Sequence, residues 1–208
     1  MIDFAQELGI EGYDMAVRPG YPVNPDNVAE ALPEAVSRFR ANGLDIPMVT
    51  AHGNLLQPDA EGAGLLAAMD AADVRRLKLG YFKFVPGQMD YWDEVNKARK
   101  ALEGWSDLAE QYGVRVCYHT HSQRCLGLNA GTLAHMIRGF DPQRIGAFLD
   151  AGHLRAEGEE FDVAVSIVRE HLSMVAVKDF LLERVDRENH GAVRRRVVEA
   201  GQGMCDWT

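Results

Sequence analysis

The sequence predicts an α/β chain in which βα units follow one another around a parallel sheet, a (β/α) barrel type with about six of its eight strands present. Three observations lead there. Short apolar, β-rich runs alternate with longer amphipathic stretches from end to end, every pair of candidate strands is separated by a helix, and polar residues gather where strands end.

The candidate strands are Tyr13 to Val17, Ile46 to Ala51, Leu77 to Phe82, Arg115 to Thr120, Arg144 to Leu149 and Met174 to Val177. Helices are expected at Ile2 to Leu8, Asn27 to Ala41, Leu65 to Ala72, Tyr91 to Tyr112, Gly131 to Arg138 and Phe161 to Leu172. Local chemistry marks several boundaries. Asn24-Pro25 reads as a helix cap followed by a first-turn proline, and Gly43 and Gly113 stop their helices just before the next strand. Within Tyr91 to Tyr112, Val95, Ala98, Leu102, Trp105 and Leu108 recur at spacings of three and four, so one apolar stripe faces the sheet and Trp105 reads as core.

With 208 residues, 47% of them hydrophobic, the chain is long enough to bury a full core, and no linker or composition break divides it, so a single domain over 1–208 is expected. A complete barrel runs to ~250 residues. One strand is therefore expected to be missing at each end, which would leave the strands at Tyr13 and Met174 with unpaired edges. Either the gene product is longer or something, such as a second subunit, covers them.

A formal charge of -9 repels polyanions, which argues against a nucleic-acid partner. The one dense basic run, Arg194 to Arg196, reads as a solvated face, with a sugar-phosphate contact as the sharper alternative. Three cysteines in no paired pattern point to a reducing compartment, and with neither a leader-like N-terminus nor a long apolar stretch the expected location is the cytoplasm, without a membrane.

Chemistry is concentrated at five strand ends. Alternation in a strand puts His119 and His121 of Tyr118-His119-Thr120-His121 on one face, within reach of one ion; two histidines so spaced also serve as hydrogen-bonded core or loop residues. The next strand ends in Asp150, with His153 three residues on, and neighbouring strand ends in a barrel converge on one rim. Oxygen and nitrogen donors of this kind suit Zn²⁺, Mn²⁺, Co²⁺ or Mg²⁺; the plainer reading is a helix-capping Asp150 with a surface His153. Lys178 and Asp179 end the sixth strand as a pair that orients a hydroxyl or stabilises an enediolate, or stands solvated. Asp14 and Arg18 at the first strand, and His52 with Asn54 at the second, supply further substrate-facing groups.

The runs DIPMVTA, LKLGYF, YHTHS, DPQRIGAFLDAGH, VAVKDF and GQGMCDW, in this order, resemble the sugar phosphate isomerase/epimerase family of xylose isomerase-like TIM barrels, over nearly the whole chain. That resemblance implies a divalent metal at the C-terminal mouth and proton transfer next to a sugar carbonyl, with a small carbohydrate as substrate. It assigns metal binding to Asp150, metal or substrate binding to His153, and the family's KD pair to Lys178-Asp179. This chain departs from the family where a frequent glutamate ligand falls at His119 and a frequent histidine ligand falls at Ala176; the final glutamate would lie beyond Thr208. The expected activity is a metal-dependent sugar isomerase or epimerase, with His119, His121, Asp150 and His153 as ligands and Lys178, Asp179 and His153 as catalytic groups. A hydrolase or lyase on the same scaffold, or a silent or truncated carbohydrate-binding barrel, are the alternatives.

Overall fold

A computed structural model describes residues 1–185, 188 and 191–208. Six strands form one parallel sheet in sequence order: β1 (Gly12–Val17), β2 (Asp45–Ala51), β3 (Arg76–Lys78), β4 (Arg115–His119), β5 (Ile145–Asp150) and β6 (Leu172–Ala176). Sequential order without reversal, with a helix between each pair, is how a sheet curls towards a barrel. Six strands make an incomplete one, as the sequence predicts.

The helices are α1 (Ile2–Leu8), α2 (Val28–Arg40), α3 (Ala60–Ala71), α4 (Tyr91–Tyr112), α5 (Ala130–Ile137), α6 (Ala151–Ala156) and α7 (Phe161–Val168). α4 has the predicted bounds because Asp90 accepts from the Trp92 and Asp93 N–H groups at one end while Gly113 turns left-handed at the other. α2 starts later than Asn24-Pro25 suggests: Asn24 and Asn27 build a turn ahead of it, and Asn27 occupies the cap position.

Alternation divides the sheet into two faces. One packs on the helices through Val49, Leu77, Val116, Tyr118, Ala147 and Leu149, with Trp105 of α4 fully buried behind them. The other lines the concave side, where Met48, Cys117 and Phe148 cluster with Met174 and Ala176. Thr50, His119 and Asp150, each two residues further along its strand, continue this inner face to its C-terminal rim, and Lys78 of β3 joins it level with Cys117.

Two features depart from expectation. β3 ends at Lys78 rather than Phe82, because Gly80 runs so close to the Gly53 carbonyl that a Cβ would lie 2.3 Å from its oxygen, and the chain there leaves the ladder for a loop. After β6 an antiparallel hairpin follows, β7 (Asp179–Arg184) with β8 (Val193–Val198). The basic run lies on β8 and is neutralised locally: Arg195 pairs with Glu157 and Arg196 with Glu183, each at 3.0 Å. Among the described residues no helix is long and apolar enough to cross a membrane.

Candidate active site

The ends of β4, β5 and β6 converge on one carboxylate. Asp150, the last residue of β5, is 1% exposed, and both its backbone and one side-chain oxygen are committed to structure. Its N–H donates to Thr120 Oγ1 at 2.9 Å, and its Oδ1 accepts from the His153 N–H at 2.9 Å, capping α6. Its other oxygen, Oδ2, is buried without a hydrogen bond among the described residues. Around that oxygen stand Lys178 Nζ at 3.3 Å, His119 Nε2 at 3.4 Å and His153 Nε2 at 3.9 Å. Lys178 Nζ also lies 3.3 Å from His153 Nε2.

Burial alone would raise the Asp150 carboxyl, but the His119 ring, the backbone N–H and ring of His153 and the Lys178 head group together hold it down at about 2. Both imidazoles are lowered as well, here by burial itself. Burial lowers His119 to about 4 and His153 to about 3, against the opposing pull of Asp150. At neutral pH the corner thus holds an ionised carboxylate and two neutral rings with lone pairs, beside an amine head group.

Neighbours fix the rings. Tyr81 Oη lies 3.2 Å from His119 Nδ1. Ser122 Oγ lies 2.8 Å and the Ser122 backbone nitrogen 3.4 Å from His153 Nδ1, so that Nε2 faces the corner. His121 is past the strand end: it sits 2.7 Å from the Ser122 carbonyl through Nδ1, and its ring centre lies 4.4 Å from that of Tyr81 and 4.1 Å from that of His153, tilted to both. Asp150 is therefore the helix cap of the plainer reading, while His153 is buried rather than at the surface.

The remaining candidates scatter. Asp14 Oδ2 accepts from Thr50 Oγ1 at 2.7 Å on the inner face, and the Arg18 guanidinium lies 5.8 Å over the Tyr21 ring with Nε buried and unpaired among the described residues. His52 does not join the corner: its Nε2 is 2.7 Å from Glu61 of α3, and its Nδ1 accepts from the Asn54 N–H. Asp179 points the opposite way from Lys178. Its fully buried carboxylate accepts from the N–H groups of Phe180, Gly201, Gly203 and Cys205 and from Trp207 Nε1, at 2.9 to 3.2 Å. Those donors outweigh the upward push of burial and hold the carboxyl far below the usual range. The GQGMCDW segment is thus tied down by this one side chain.

Sequence reasoning passed over Lys78, Tyr81, Thr120 and Ser122. Lys78 stands between Leu77 and Leu79 at the end of β3, and a cation between two apolar residues is the signal it carries.

The family model of the xylose isomerase-like TIM barrel matches residues 2–208. The chain belongs to this family. Solved structures of similar fold include the 3-keto-D-glucoside 4-epimerase of E. coli, 13% identical with a TM-score of 0.67, over 84% of this chain and 71% of that one. The probable 3-DHS dehydratase of Bacillus anthracis is 15% identical with a TM-score of 0.70, over 99% and 79%. The zinc-bound IOLI protein is 16% identical with a TM-score of 0.74, over 99% and 74%. No curated protein matches the sequence.

A xylose isomerase-like barrel raises the question of an ion. His119 Nε2 and Asp150 Oδ2 have the separation of two ligands on one metal, and an Oδ2 without a hydrogen bond among the described residues is the kind of atom an ion would satisfy. The set stops short there. Ala176 stands opposite Asp150 in the sheet where the family resemblance expects a histidine, and among the described residues no group of three or more His, Cys, Asp or Glu is arranged to hold a metal ion. The cation beside Oδ2 is instead the Lys178 ammonium. These residues do not fit a closed metal site.

Proposed function

We propose that this chain is an isomerase or epimerase of a keto sugar or related carbohydrate, acting by proton transfer next to a carbonyl at the C-terminal rim. One observation carries the proposal: a buried carboxylate oxygen with no hydrogen bond among the described residues, ringed at 3.3 to 3.9 Å by one ammonium and two imidazole nitrogens. Isomerisation and epimerisation both need a base that removes a proton beside a carbonyl and an acid that returns one.

His153 is the base in the tautomer whose Nδ1–H donates to Ser122 Oγ, which leaves the Nε2 lone pair towards the corner while burial keeps the ring neutral. Asp150 stabilises the imidazolium formed when the proton arrives, and Lys178 provides positive charge beside the reacting carbonyl. His119, held by Tyr81, orients a substrate hydroxyl, and Asp14 with Thr50 offers a second polar station across the concave face. Asp179 is a positioning residue, holding the segment after β8 rather than meeting substrate. The fold neighbours, several of them sugar epimerases, support the substrate class; the divalent ion expected from the resemblance enters none of these steps.

The test is product formation from a panel that includes D-fructose, D-tagatose and 3-keto glucosides, followed by chromatography. Turnover of at least one, reduced about a hundredfold or more in His153→Gln with an unchanged melting temperature, is expected. Water loss from the substrate instead of rearrangement would move the reading to a lyase.

A further inference from the structure

A second amine on the concave face has no place in those steps. Lys78 ends β3 opposite Thr50 of β2 and Cys117 of β4, with Leu77 and Leu79 on either side committed to the helix-facing core. Its side chain therefore projects inward, and only 8% of the residue is exposed. Among the described residues its Nζ has neither a hydrogen bond nor an ion pair; it lies 4.3 Å from the centre of the Tyr81 ring, whose hydroxyl meets His119. A largely buried lysine without an ion pair is costly, and proteins keep such lysines chiefly where the neutral amine has work to do. Burial lowers this one to about 8, Arg18 and Lys178 push it the same way, and Asp14 opposes them.

We propose that Lys78 is a carbonyl-binding nucleophile that forms a Schiff base with the keto substrate and so supplies the electron sink that this chain's incomplete ligand set does not. The inference rests on the keto-sugar reading above. The Nζ lone pair attacks the carbonyl carbon, the C=O π electrons move to oxygen, and an amine proton follows them to give a carbinolamine. That hydroxyl takes a second proton from an acid on the rim, such as the Lys178 ammonium, and leaves as water, so that amine, ketone and one proton become iminium and water. The base removes the neighbouring C–H proton, its electron pair neutralises the iminium as an enamine, and reprotonation followed by hydrolysis returns product and free Lys78.

The test is reductive trapping of the intact chain with dihydroxyacetone and cyanoborohydride near pH 8, read by peptide mass mapping. Labelling of Lys78 at least about tenfold above the exposed Lys97 and Lys100 is expected, as is loss of that label in Lys78→Arg, which keeps the charge but not the nucleophile. Labelling confined to surface lysines would overturn the proposal, as would full turnover by Lys78→Arg. Solvent deuterium uptake by a keto sugar, measured alongside, separates the two ideas. Uptake without Lys78 labelling removes the nucleophile alone, and Lys78 labelling without uptake removes the isomerase reading alone.

Discussion

At the scale of single residues, Asp150 shows how one side chain carries both fold and chemistry. Its N–H and Oδ1 tie β5 to β4 and α6, while Oδ2 faces three nitrogen groups. Thr120→Val, which deletes the acceptor of the buried Asp150 N–H, should cost about 1–3 kcal/mol in denaturant unfolding. Asp179→Ala strips a common acceptor from four backbone N–H groups and an indole. It should cost at least about 2 kcal/mol and expose the segment after β8 to protease. Legibility divides along the same line. Asp150 and His153 were readable because a carboxylate closing an apolar run has to be accommodated somewhere, and strand ends in a barrel meet. Lys78 was not, since a lysine alternating with leucines reads as facing solvent until the sheet curls and encloses that face.

At the scale of elements, strands and long helices were legible because alternation and a three-four spacing leave strong periodic signals, as in β4, β5 and α4. The hairpin was not, because three consecutive arginines mask the alternation that β8 imposes on them. α6 was too short to register, and its fit depends on Gly152, where a Cβ would lie 2.8 Å from the Lys178 carbonyl oxygen. Gly152→Ala should therefore push α6 from the end of β6, costing about 1–3 kcal/mol and disturbing His153 and Lys178 together; a drop in melting temperature with a parallel loss of turnover is the expected result. His52 shows the limit of reading strand ends as a rim. It leaves β2 as predicted, but the loop that follows turns it to Glu61 on α3.

At the scale of the whole molecule, the sheet follows the barrel order and stops at six strands, so β1 and β6 each have one sheet neighbour among the described residues. Acid sensitivity belongs to this scale as well. His119 and His153 have folded values of about 4 and about 3, below the ordinary 6.5, so protonation favours the unfolded chain. Their contribution to stability is complete above about pH 6.5 and is lost as pH falls from there towards their folded values. Denaturant midpoints measured against pH should decline over that window, and the decline should flatten in His119→Gln and His153→Gln.

The central claim is proton transfer beside a carbonyl at the Asp150 corner, carried by the chain's own groups. Solvent deuterium incorporation into keto sugars, followed by NMR on chelator-treated protein, tests it most directly. One deuteron on the carbon next to the carbonyl, at a rate that survives chelation and collapses in Asp150→Asn and His153→Gln, is the predicted result. No incorporation into any sugar, or incorporation that returns only when a divalent ion is restored, would contradict it.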